Sequence, residues 1–332
     1  MKTSISYSLI AAAMACGFAN AQTTAYTTPV GYETLAVAAG VNFLGVRLQQ
    51  PVVAAGTVSS ITATTLTVSG SLDLGVLLND STTYILEVVN ANGVTQEFIG
   101  SAATGSVITT PTDLSAIVTV GNSYKIRSAP TLATTFGANN EAGLETGFFG
   151  PGGDIVLLPN PSAPGGFDQY YYDGGLSSWA DGDGNAVTGS SIAWNYADGV
   201  LISATGSGLA ALTISGEVKT AKTNYNLTAS SINFLSSVSP AGATLASAFD
   251  GSLASIDQGF FGPGGDIFLI PNPSASGGFD QYYYDGGLTS WADASGNPVD
   301  GSAISLSSGI LISNDGGVAD VVNTPPTSYN SL

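Results

Sequence analysis

The sequence predicts an all-β protein: two homologous β-sandwich or meander domains, the first carrying an inserted small β-barrel-like module. Three observations carry this. Residues 147–192 recur at 259–304 without a gap, an offset of 112, with 37 of 46 positions identical. The rest of the chain is short β-rich runs broken by Gly, Pro, Asn and Asp, the texture of sandwiches and meanders. Helix signals are scarce. The best are two short segments at corresponding places, "TLATTF" from Thr131 and "TLASAF" from Thr244.

In chain order, Met1-Lys2, a short apolar run and Ala19-Asn20-Ala21 make residues 1–21 a secretory signal peptide, too short for a membrane span. Cleavage there removes Cys16, the single cysteine, and leaves no disulfide or thiol chemistry. Lipidation at Cys16 is the alternative, although Ala13 and Met14 fit a lipoprotein box badly. Residues 22–57 and 129–215 form the first domain. Residues 58–128 form the insert, whose "TTYILEVVNANGVTQEFIG" sets Asn92-Gly93 between two β-rich runs as a hairpin. Within the repeat, "DIVLLPN", "FDQYYYD" and "LSSWAD" read as three consecutive strands. "GVLISATGSGLAALTISG", from Gly199 to Gly216, reads as a β-hairpin and not as a membrane helix, because Thr-Gly-Ser-Gly interrupts it. "GEVKTAKT", with Lys219 and Lys222, reads as an exposed linker into the second domain, 216–332.

The residues also resemble a family. "TPVGYETLAV", the Asn-Phe-Leu segments at 42–44 and 233–235, "ISGEVKTAKTNYNL" at 214–227, the "YYYDGG" meander running on to "GVLIS", and "PPTSYN" near the end are similar to an uncharacterised family of secreted proteins with many paralogues in verrucomicrobial bacteria. The resemblance implies export and β-structure. It implies no activity, substrate or cofactor. This chain departs from that pattern by writing the meander twice.

Composition narrows the function. Six basic residues face 24 acidic ones, a formal charge of −18, which argues against nucleic acid and anionic membrane surfaces as partners. No histidine is present, so histidine-dependent triads, His-ligated zinc and the usual proton shuttle are excluded. "GPGGD" at 150–154 and 262–266 lacks the lysine of a phosphate-binding loop and reads as a tight turn.

Two ligand sites remain as candidates. Tyr170, Tyr172, Asp168 and Trp179, with Tyr282, Tyr284, Asp280 and Trp291 in the second copy, pair aromatic rings with carboxylates, as sugar recognition requires. Strand alternation and β-propensity equally account for them as packing residues. Asp181, Asp183 and Asn185 place oxygens at alternate positions, the opening of a calcium loop, but no bidentate Glu follows and Ser295 replaces Asp183 in the second copy. An Asp-Gly turn serves as well. The expectation is thus an exported, non-enzymatic structural or interaction protein of the periplasm or cell exterior. It would use no cofactor, and its partner would be itself or an extracellular polysaccharide. The alternatives are a carbohydrate-binding protein and a calcium-dependent adhesin or matrix protein.

Overall fold

The computed structural model describes residues 28–332 apart from 71–72, 79, 100–104, 161, 164, 273, 275–277 and 318. The signal peptide expected over 1–21, with Cys16, lies outside the described residues.

The described chain opens with β1 (Val30–Val37), β2 (Gly40–Gly45) and β3 (Leu48–Gln49). Around the expected insert lie β4 (Val52–Ile61), β5 (Thr65–Val68), the one-turn helix α1 (Leu74–Leu77), β6 (Tyr84–Asn90), β7 (Gly93–Ile99), β8 (Val107–Thr109) and β9 (Ser123–Ser128). The first repeat gives α2 (Leu132–Phe136), β10 (Ile155–Pro159), β11 (Phe167–Asp173), β12 (Ser178–Asp181), β13 (Ala186–Val187) and β14 (Gly199–Ala204). Then come β15 (Leu209–Val218) and β16 (Thr223–Leu227). The second repeat gives β17 (Ser231–Ser236), α3 (Leu245–Phe249), β18 (Ile267–Pro271), β19 (Phe279–Asp285), β20 (Ser290–Asp293), β21 (Pro298–Val299) and β22 (Gly309–Asn314), before β23 (Ala319–Asn323).

The three strands read from the repeat form where the pattern placed them, and the Asn-Gly hairpin closes between β6 and β7 with Asn90 opposite Gly93. The two Thr-initiated segments are helices of one turn. Thr131 and Thr244 cap them, each accepting the N–H three residues on while Thr134 or Ser247 answers back to the cap's own N–H.

Two six-stranded sheets share one strand order, β2-β14-β10-β11-β12-β13 and β17-β22-β18-β19-β20-β21. Their inner faces meet. Phe43 of β2 stacks on Phe234 of β17 with ring centroids 5.3 Å apart, Phe43 reaches Phe279 at 5.7 Å, and Phe234 reaches Phe167 at 4.4 Å. Leu201 and Leu311 complete this layer. Phe43 answers to Phe234 in the repeat and Phe167 to Phe279, so the contacts are reciprocal, as across a two-fold axis.

Each sheet buries its other face in a separate core. Val156, Trp179 and Ile202 of the first pack with Phe136 and with Leu35, Leu212 and Ile214 of a three-stranded sheet, β1-β15-β3. Phe268, Trp291 and Ile312 of the second pack with Phe249, Tyr225 and Val321. The remaining strands form an eight-stranded sheet, β23-β16-β7-β6-β9-β4-β5-β8, with its own core around Leu66, Leu86 and Ile126.

Two local expectations change. The 199–216 stretch does make two strands, but they are not a hairpin: β14 joins the first six-stranded sheet, while β15 leaves it to pair with β1 and β3. Lys219 is not on an exposed linker. It is buried beside a charge cluster in which Arg127 donates Nε–H to Glu87 at 3.0 Å and bonds Glu217, while Gln49 donates to Glu87 at 2.7 Å. Burial holds the Lys219 ammonium down to about 8. The cluster joins β15, the β3–β4 segment and the eight-stranded sheet at one point. Among the described residues no helix is long and apolar enough to cross a membrane.

Candidate functional site

The duplicated "GFDQYYYDGG" stretch serves a loop that sequence patterning passed over. Asp173, at the end of β11, is almost fully buried, and its carboxylate accepts four backbone N–H groups: Phe149 (3.2 Å), Gly150 (3.1 Å), Gly175 (2.8 Å) and Leu176 (3.0 Å). Asp285 repeats this with Phe261, Gly262, Gly287 and Leu288 at 3.2, 3.2, 2.8 and 3.0 Å. Burial works to raise both carboxyl pKa values, but the four N–H donors outweigh it and both titrate below the ordinary range.

These clamps hold a tip. Phe149 and Phe261 sit at φ +53° and +55°, the left-handed region that a bulky side chain avoids. Each ring lies over the second glycine of the Asp-Gly-Gly turn. A Cβ on Gly175 would stand 2.8 Å from a ring carbon of Phe149, and one on Gly287 would stand 2.9 Å from Phe261. Phe148 packs edge-on against Phe149, centroids 4.9 Å apart, and Phe260 against Phe261 at 4.7 Å. The result in each copy is a pair of phenylalanines in water, 74% and 68% exposed. The following "GPGGD" is the predicted turn, and Asp154 pins it by accepting the N–H groups of Glu145 (3.0 Å) and Thr205 (2.8 Å).

The predicted tyrosine–tryptophan platform does not share an exposed face. Trp179 is buried, donates its Nε1–H to the Gly137 carbonyl at 3.0 Å and meets Tyr172, itself buried, edge-on at 5.8 Å. In the second copy Trp291 is buried on Asp250, 2.8 Å away, with Tyr284 against it at 5.6 Å. Trp179, Tyr172 and Trp291 are core, and Tyr284 packs half-buried against the second core, because strand alternation turns them toward α2 and α3. Asp280 is exposed and bonded to Asn272, and Tyr282 packs beside the second core. Asp168 is bonded to Asn160 and Tyr170 packs beside the first core in the same way, and both also line a cleft walled by the repeats and by residues of the eight-stranded sheet.

Of the three residues read as a calcium opening, Asp181 has its carboxylate turned onto the protein. The Asp181 carboxylate accepts the N–H groups of Asp183 and Asn185 and the Asn185 amide, closing the β12–β13 turn. Asp293 does the same with Ser295 and Asn297. Asp181 and Asn185 are thus engaged with each other, as an Asx-type turn requires.

The signal for the tips was legible in principle: two adjacent phenylalanines followed by Gly-Pro-Gly-Gly fit no strand alternation, and the copy at 260–265 repeats them. Comparison with family models, with curated proteins and with solved structures finds no match for this chain.

Proposed function

We propose that this is an exported, non-catalytic interaction protein of the periplasm or cell exterior that grips one partner through its two phenylalanine tips. The observation that carries the reading is the exact recurrence of a strained, exposed aromatic pair on a buried four-donor clamp. Leaving such rings in water forgoes about 1.5–3 kcal/mol of burial per side chain. Holding phenylalanine in the left-handed region costs about 1–2 kcal/mol more. Neither expense stabilises the fold, and exposed aromatic anchors of this kind are what interface hot spots are made of. Two equal tips on one chain, engaged together, add their contacts through avidity, by about 10²–10⁴ over one tip alone.

The test is retention of purified protein on the immobilised cell-envelope fraction of the producing cells. Phe148→Ser with Phe149→Ser, or Phe260→Ser with Phe261→Ser, lowers the apparent affinity by about 10²-fold or more, and the fourfold variant is not retained. A fourfold variant retained like the parent would sink the reading. Sedimentation of the parent alone identifies self-association as the contact if it forms oligomers that the fourfold variant does not.

A further inference from the structure

The cleft that takes in Asp168 and Tyr170 encloses about 640 Å³, within the roughly 300–1,000 Å³ of small-molecule sites. Four parts of the chain wall it: the β10–β11 turn and the 191–198 connection of the first repeat, Glu97 of β7 with Thr112 after β8, and Asn226 with the start of β17 from the second half. A shallower groove of about 440 Å³ shares Gly165 and Ser231 with it and runs on to Asn314 and Asp315.

Its chemistry is one-sided. Carboxylates, amides, hydroxyls and aromatic rings line it together with aliphatic side chains such as Leu158, Ile192 and Ile232, and no lysine or arginine is among the described lining residues. Asp168 is held in place by the Asn160 amide, which donates to it at 2.8 Å. Glu97 and Asp198 both hold their protons more readily than usual. Burial pushes Glu97 up against a hydrogen bond from Thr112, and burial pushes Asp198 up to about 6 against an N–H from Asn195.

One wall is also unfinished. Trp194 is 3% exposed, lines the cleft, and its Nε1–H has no acceptor among the described residues. The side-chain oxygen of the next residue, Asn195, is buried and likewise without a donor among the described residues. The other two tryptophans, Trp179 and Trp291, both have partners. The second copy shows what packing alone needs here. Ala193 bridges Thr131 as Ser305 bridges Thr244, so Trp194 corresponds to Leu306, a plain core residue. The indole and its free donor belong to the copy that has the cleft.

We propose that this cleft binds a neutral, polyhydroxylated chain, an oligosaccharide segment, through Asp168, Asn195, Trp194 and the ring of Tyr170. A hydroxyl both donates and accepts, so it can serve either the indole N–H or the Asn195 oxygen, each buried and unpartnered among the described residues. The carboxylates accept from vicinal hydroxyls, and the Tyr170 ring faces sugar C–H groups. Anionic polymers are repelled by the three carboxylates with no cation to answer them. The site is independent of the phenylalanine tips.

The test is calorimetric titration of the full chain with neutral glucan, mannan and xylan hexasaccharides, alongside an acidic uronic-acid oligomer and a cationic glucosamine oligomer. At least one neutral oligomer binds, Asp168→Asn and Trp194→Phe each weaken it by about tenfold, the scale of one hydrogen bond to a charged or buried group, and Asp280→Asn, the same position outside the cleft, leaves it unchanged. Trp194→Phe also removes a ligand-induced change in tryptophan fluorescence, a readout separate from affinity. Thermal melts confirm that the variants are folded. The proposal fails if no neutral oligomer binds, if only the charged oligomers bind, or if Asp280→Asn weakens binding as much as Asp168→Asn.

Discussion

Asp173 and Asp285 are the residues on which the tips depend, because each gathers four N–H groups that no sheet ladder can take. Their pKa values are depressed in the folded protein, so the stability they contribute is present above the ordinary carboxylate pKa near 3.8 and is lost as pH falls through the lower folded value. Asp173→Asn keeps the shape but replaces two lone-pair acceptors with an amide NH₂. We expect a lower melting temperature at pH 7, and a smaller drop between pH 5 and pH 2 than the parent shows. Melting curves across that range check it. An acid-induced drop as large as the parent's would mean that the clamp is not a source of acid sensitivity. The duplicated aspartates were visible in the sequence, and "Asp-Gly-Gly" read correctly as a turn. What was not legible was the turn's second task, since the four donors come from segments more than 20 residues apart.

At the scale of elements, the repeated strands followed their alternation, and the helix caps followed Thr-x-x-Thr and Thr-x-x-Ser. The strands' partners did not follow sequence neighbours: β15 leaves β14 for β1 because its apolar face, Leu209, Leu212 and Ile214, completes the core under the first sheet. The glycines that open β14 and β22 mark where the two six-stranded sheets touch. A Cβ on Gly199 would lie 3.0 Å from the Leu235 backbone, and one on Gly309 2.9 Å from the Leu44 backbone. Gly199→Ala and Gly309→Ala are therefore each expected to cost about 1–3 kcal/mol, the scale of overpacking a tight contact. Gly152→Ala, with open space around it, is the control. Urea unfolding measures both, and equal midpoints for Gly199→Ala and Gly152→Ala would refute the close approach.

Across the whole molecule, the three-stranded sheet, through β15 and β3, and the eight-stranded sheet are joined at the buried Arg127 cluster. Arg127→Met leaves Glu87 and Glu217 buried without their cation, at an expected cost of about 3–5 kcal/mol. Chemical unfolding followed separately by tryptophan emission and far-UV dichroism locates the effect. A variant as stable as the parent would show that the cluster contributes nothing net. Nothing in "GEVKTAKT" signals this junction, because its partners, Glu87 and Arg127, are about 90 residues or more away.

By itself the sequence determined the β-class, the repeat, the strands within it and the turn chemistry, because period-two alternation, Asn-Gly and Asp-Gly signals and Thr caps act over a few residues. Tertiary structure alone decided which aromatic residues face water. It buried Trp179 and Trp291 under one-turn helices and lifted Phe148, Phe149, Phe260 and Phe261 into solvent. It also opened a cleft beside Asp168 and Tyr170. Local pattern shows that a side chain alternates faces, but whether a face is covered depends on segments brought together from across the chain.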